Sequence, residues 1–291
     1  MAEYDSTALE TGSKNSRRRE QVRLGLCRIV FGLALLTAWQ LSASPNTFLA
    51  RGLPNLFPLI DDYWVSTPFD IAQHFWEITS SGEIFIHFKG TMLNTVIGYF
   101  LGAVLGISIG FLLAEFETIA KVLEPYIMAF NGVPRIAYAP LFIVWFGIDM
   151  QSKVILVMTI VFFLTFINTY SGIRGVSPDL INIARIMGGT KLKIMLKVVL
   201  PGASPWIISG LKVSVPFSLV GAIVGEFIAA SSGLGFLLQL YMNLYNTTGV
   251  LLVILILMFV VMILNILLNW MESYVLRWRP SASGGQESPG M

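Results

Sequence analysis

The residues able to do chemistry are few, and they are badly placed for covalent catalysis. The two histidines, His74 and His87, both fall in a polar stretch ahead of the second apolar run, so no imidazole within an apolar run could serve as a base. Ser171-Gly172 and Ser209-Gly210 therefore lack the partner that activates a hydroxyl, which argues against an intramembrane serine hydrolase. The single cysteine, Cys27, closes no internal disulfide, and no His/Cys cluster has zinc-ligand spacing. No G-x-x-x-x-G-K-[ST] loop is present to cradle a phosphate, so the chain has no nucleotide site of that kind and needs no cofactor of its own.

What remains are charges inside apolar runs. Arg135 lies between Pro134 and Pro140, while Lys212 and Glu226 share one later run. An ionisable group at membrane depth costs about 2.5–3.5 kcal/mol on insertion scales, so such groups face protein or water. These three are candidates for a translocation path or gate. Arg135 and Lys212 also allow a second reading, in which each sits near a span end and reaches the headgroups. Lys212 and Glu226 are 14 residues apart, about 21 Å along a helix, and cannot pair.

The elements that must hold these charges follow from composition. Of 291 residues, 55% are hydrophobic and only 12% charged, with a mean hydropathy of +0.73, so the bilayer is the solvent. Apolar runs fall near 24–43, 91–114, 122–147, 152–173, 204–229 and 249–271, which predicts six transmembrane helices in an all-α polytopic bundle spanning 24–279. The first run is too long for a signal-peptide core and reads as an anchor. Residues 1–23 and 280–291 are polar tails, and 44–90 reads as an extramembrane or interfacial stretch. The net charge of +2 gives no reason to expect nucleic acid.

Basic residues orient the bundle. With the N-terminus inside, the inner segments hold Lys14, Arg17, Arg18, Arg19, Arg23, Lys121, Arg174, Arg185, Lys191, Lys193, Lys197, Arg277 and Arg279, and the outer segments hold only Arg51, Lys89 and Lys153. Both termini are expected to be cytoplasmic. Glu115, Glu117 and Glu124 around Lys121 run against this pattern, although acids count little in it.

Two packing signals stand out. Gly98, Gly102, Gly106 and Gly110 recur every four residues along one helix ridge and invite close approach of another backbone, with Gly221 and Gly225 a weaker pair. Pro134 and Pro140 predict a broken third span, which is tolerated in lipid where protein or a water-filled cavity satisfies the freed carbonyls.

The long inner segment has its own structure signals. Ser177-Pro178-Asp179 offers a cap, a proline at the first helical position and a first-turn acid, and Gly188-Gly189 should end that helix. Thr190 can cap a second, basic helix through Lys191, Lys193 and Lys197 that stops against Pro201. The prediction is a helix-turn-helix elbow over 178–201 at the inner face.

Within it, Asn182-Ile183-Ala184-Arg185-Ile186-Met187-Gly188, then nine residues, then Val198-Val199-Leu200-Pro201, resembles the "EAA" signature of ABC importer permeases: Glu-Ala-Ala, three residues, Gly, nine residues, Ile-x-Leu-Pro. Ala184, Gly188, Leu200 and Pro201 match in register. Asn182 and Ile183 depart from the first two positions, and the acid is lost. Pro140-Leu141, Trp145-Phe146-Gly147-Ile148, Ile167-Asn168-Thr169, Gly225-Glu226, Gly233-Leu234-Gly235 and Leu276-Arg277-Trp278 are similar to the nitrate, sulfonate and taurine branch of that family. The resemblance covers roughly residues 65–280.

The resemblance implies a type I importer of the bacterial inner membrane. Its parts would be a second copy of this permease in a homodimer, two cytoplasmic ATPase subunits that carry ATP and Mg, and an external solute-binding protein. It implies an ATPase-coupling role for Asn182, Ala184, Arg185, Gly188, Leu200 and Pro201, and a small anionic solute such as a sulfonate, nitrate or taurine. A secondary transporter or channel is the competing expectation, but no inverted repeat is visible and such a chain would not need the elbow.

Overall fold

The computed structural model describes residues 23–28, 30–40 and 66–275, and among these there is no strand. The two tails, residues 41–65 and Leu276-Arg277-Trp278 lie outside the described residues. In chain order the helices are α1 (Arg23–Gln40), α2 (Pro68–Ser80), α3 (Glu83–Glu115), α4 (Glu117–Gly132), a 3-10 turn (Arg135–Tyr138), α5 (Ala139–Phe146), α6 (Met150–Arg174), α7 (Pro178–Ile186), α8 (Lys191–Ile194), a π turn (Met195–Val199), α9 (Leu200–Ile228), α10 (Leu234–Asn243) and α11 (Thr247–Val275). Five helical runs are long and apolar enough to cross a membrane, and α4 with the turn and α5 makes a sixth if that bent pair counts as one crossing.

Two compact units divide the chain: residues 1–77 with 245–252, and 78–244 with 253–291. In the first, the amide of Phe69 donates to Gln40 Oε1 at 3.1 Å and the hydroxyls of Ser66 and Thr248 meet at 2.8 Å. Thr67 caps the start of α2 by accepting from the Asp70 amide at 3.1 Å.

The second unit is organised around α6, which packs on both α3 and α9. The glycine ridge explains the closeness of α3. A Cβ on Gly98 would lie 2.5 Å from Val157 Cβ, one on Gly102 would lie 2.6 Å from the Met158 carbonyl oxygen, and one on Gly110 would lie 2.9 Å from Thr169 Cβ. Only glycine lets the two backbones meet there. Gly221 serves α9 in the same way, since a Cβ would fall 2.8 Å from Ile160 Cδ1. Ala103, Val157, Val161 and Ala222 form the core where the three helices touch.

Two boundaries differ from expectation, at the second span and at Pro201, and the expected break of the third span falls at Pro134 alone. The second span begins at Glu83 rather than near 91, because Gly82 turns the chain in the left-handed region (φ +80°) and the Glu83 acid favours the first helical turn. The third span is broken: Val133 is extended ahead of Pro134, as the proline ring requires, and the two halves meet at 87°. Pro140 disrupts nothing, since it sits in the first turn of α5 where no amide is needed. Finally, Pro201 does not stop a helix. Helix continues from Lys191 to Ile228, and the π turn before the proline, closed by Leu200 N–H to Met195 O, widens the backbone at the place where the ring would otherwise collide. Helix α10 was not expected at all.

Candidate functional site

The elbow is built residue by residue as its signals require. Ser177 stands at the N-cap position of α7 and Pro178 follows, though the Ser177 side chain makes no capping bond. Gly188 takes φ +79° and closes the helix: its amide donates to Arg185 O at 3.0 Å and the Gly189 amide donates to Ala184 O at 3.0 Å. This is the Schellman pattern, which needs a residue free of Cβ strain at the left-handed position. Gly189 is needed for space, because a Cβ there would lie 2.7 Å from Ala184 O.

Beneath the turn, Ala184 and Ile181 pack on a small core of Ile173, Val176, Ile194, Val199 and Ala203. The opposite side of the elbow is bare and apolar: Ile186 is 86% exposed and Met187 81%. Asn182 and Arg185 line a cavity of about 640 Å³ between the elbow and the ends of α3 and α6. Leu200 and Pro201 lie on the exposed side of the helix that leaves the elbow.

Two of the acids that ran against the charge pattern, Glu115 and Glu117, are paired. Glu115 bonds to Lys191, and Glu117 lies 3.0 Å from Lys121 and 3.5 Å from Arg174. Arg174 also donates to the Tyr170 hydroxyl at 2.8 Å. These contacts join the α3–α4 turn, the end of α6 and the start of α8 at one end of the bundle.

The three membrane-depth charges are engaged separately. Arg135, at the break of the third span, donates to Asn131 Oδ1 and lies 5.3 Å from the Phe163 ring centre, while its Nε is buried without a hydrogen-bond partner. Lys212 meets Glu272 of α11 at 2.5 Å. Glu226 is fully buried, two residues before the end of α9, and accepts three hydrogen bonds: Thr91 Oγ1 at 2.8 Å, Asn94 Nδ2 at 3.0 Å and the Gly235 amide at 3.0 Å. Thr91 in turn accepts from the Leu234 amide at 2.7 Å, and His87 Nδ1 accepts from the Gly233 amide at 3.1 Å.

This clasp ties α3, α9 and α10 together at the end remote from the elbow. Sequence reasoning missed Thr91, Asn94, His87 and Glu272. The signal for the first three was present: positions 87, 91 and 94 are polar at helical spacing on an otherwise apolar segment. Lys153, counted from sequence among the outer segments, is buried (4% exposed) in the first turn of α6 and donates to the Ile148 and Asp149 carbonyls.

A multi-span helical bundle with an exposed elbow at one end and its membrane-depth charges engaged by partners inside it is the architecture of a polytopic membrane protein. Residues 86–278 match the family of binding-protein-dependent transport system inner membrane components, and the chain belongs to that family: it is an ABC importer permease of the inner membrane. It is 34% identical over 250 residues to the putative aliphatic sulfonates transport permease protein SsuC of Bacillus subtilis, covering 86% of each chain. It is 30% identical to the formylaminopyrimidine transport permease protein ThiX of Halalkalibacterium halodurans over 86% of this chain and 94% of that one. The riboflavin transport system permease protein RibX of Chloroflexus aurantiacus is 29% identical over 86% and 88%. In fold it resembles a chain of the inward-facing MetNI methionine ABC transporter, with a TM-score of 0.55 at 22% identity over 65% of this chain and 92% of that one. It also resembles a chain of an amino acid ABC transporter crystallised with histidines, at 0.56, 17%, 70% and 98%.

Proposed function

We propose that this permease moves a small organic anion of the sulfonate class, delivered by an external binding protein, and that a cytoplasmic ATPase drives it through the elbow. The observation that carries the coupling role is the bare apolar tip at Ile186 and Met187, which a soluble face would not retain and which a groove on a partner would cover. In this reading Gly188 shapes the tip, Ala184 seats it on the bundle, and Asn182 and Arg185 present polar contacts beside it. Leu200 and Pro201 carry its motion into α9. Both termini lie in the cytoplasm, and two copies form the path.

Of the membrane-depth charges, Arg135 is the one assigned to the path. It sits where the third span breaks, and its side chain is only partly buried there, so its guanidinium can meet an anion. Lys212 and Glu226 act as braces. The sulfonate class is supported by the permeases of that name among the relatives.

Gly188→Val tests the coupling role. The left-handed backbone at φ +79° would be strained by about 1–2 kcal/mol, while the open space around the glycine leaves the rest of the fold undisturbed. The variant should reach the membrane at normal yield, lose co-purification of the ATPase, and lose uptake of an alkanesulfonate. Normal co-purification and normal uptake would show that 178–201 is only a connection between spans.

A further inference from the structure

The cavity of about 640 Å³ under the elbow lies behind the apolar tip at Ile186 and Met187 that the coupling role uses, and Asn182 and Arg185 border both. Three cations line it, Arg174, Arg185 and Lys191, against one carboxylate, Glu115. Arg185 has no ion-pair partner among the described residues, and Arg174 is held in position by the Tyr170 hydroxyl and by Glu117 at 3.5 Å, outside the cavity lining. Between the charges the wall is apolar, formed by Ile173, Met195 and others. The first turn of α7, whose amides receive no side-chain cap, opens on the same cleft through Pro178.

The location narrows the ligand. Helix α6 has 25 residues, about 38 Å, so its last turn at Arg174 reaches beyond the hydrocarbon into the headgroup layer. A cavity at that depth with cations on its rim and apolar walls matches an amphiphile with an anionic head rather than a free ion, which would not use the walls. Basic pockets between helices on the cytoplasmic side take phosphate headgroups.

We propose that the cleft between the elbow and the ends of α3 and α6 binds the headgroup of an anionic phospholipid, with Arg185 and Arg174 on the phosphate and the Glu115–Lys191 pair as the element it competes with. The lipid would then hold the elbow at a fixed distance from the bundle. The proposal rests on the cytoplasmic placement of the elbow argued above, but its test needs neither the ATPase nor a defined orientation.

The full chain, purified in detergent, is titrated with phosphatidylglycerol, phosphatidylcholine or glycerol phosphate, and bound lipid is counted by native mass spectrometry. Phosphatidylglycerol should bind, and the other two should not at the same concentration. Lys191→Gln should weaken binding about fivefold, the effect of one cation near the surface. Glu115→Gln should strengthen it, because it frees Lys191. Both variants abolish the same ion pair, so a purely structural role moves them the same way. Shifts of the same sign, equal binding of phosphatidylcholine, or equal binding of glycerol phosphate would each overturn the lipid assignment. Loss of ATPase co-purification in Gly188→Val leaves this titration unaffected, so the two readings fail separately.

Discussion

The Glu226 clasp makes the sharpest quantitative demand on the fold. Thr91, Asn94 and the Gly235 amide all donate to the carboxylate, at 2.8, 3.0 and 3.0 Å, and the side chain is fully buried. Glu226→Ala would strand the buried Asn94 and Gly235 donors and leave Thr91 only its longer bond to the His87 carbonyl at 3.3 Å, at about 1–3 kcal/mol for each donor affected. Because such networks are not additive, the expected loss is about 4–6 kcal/mol rather than the full sum. Glu226→Gln keeps the shape. Its amide oxygen can accept from Thr91 and Gly235, and its amide nitrogen then faces the Asn94 nitrogen, a conflict removed when the Asn94 amide flips. The bonds become neutral instead of charge-assisted, so the loss should be about 2–3 kcal/mol.

Melting of the purified chain in detergent should therefore rank wild type above Glu226→Gln, and Glu226→Gln above Glu226→Ala. Asn94→Asp sets two carboxylates at hydrogen-bond distance and should be severe alone. Combined with Glu226→Gln it should recover, since the carboxylate introduced at position 94 then accepts from the new amide nitrogen at position 226. A Glu226→Ala chain that melts like wild type, or an Asn94→Asp effect that the second change does not relieve, would refute the network as the brace of this end of the bundle.

Two further outcomes follow from packing and charge. Gly102→Ala should cost about 1–3 kcal/mol in the same melting assay, because the new methyl falls 2.6 Å from the Met158 carbonyl oxygen and 2.8 Å from Val161 Cβ. Gly132→Ala, with nothing within 4 Å, should cost nothing. For topology, single cysteines at Ser13 and Ser283 in a Cys27→Ser background should resist a membrane-impermeant thiol reagent in intact cells, and one at Ser81 should react; labelling at either terminus would reverse the assignment.

Much of this was legible in the sequence because it depends on local or periodic signals. The four glycines from Gly98 to Gly110 foretold a close helix contact, but not that α6 supplies it, since periodicity names a face and not its partner. Gly188 announced its left-handed turn through the residues around it. Pro134 announced the break, while Pro201 misled: a proline removes a donor wherever it stands, yet whether helix stops depends on the preceding turn, and a π turn is not written in composition. The partners of the buried charges were hidden for the same reason. Glu226 and Thr91 are 135 residues apart, and only the packing of α3 against α6 and α9 brings them together. Glu272 waits on α11 for Lys212 in the same way.

The misread proline matters mechanically. Had Pro201 ended the second elbow helix, the elbow would hang from α9 by a flexible joint, and a push on its tip would be absorbed there. Instead helix runs unbroken from Lys191 to Ile228, 38 residues or about 57 Å, with the elbow at one end and Glu226 close to the other. The π turn, Pro205 and Pro216 are the positions where its backbone bonds are altered or missing and where it can bend. The Glu226 clasp anchors the far end of that rod to α3 and α10, and the glycine contacts with α6 fix its middle. A displacement of the tip can then pivot the rod about α6 rather than crumple it, which is the geometry that rocking of rigid helices requires.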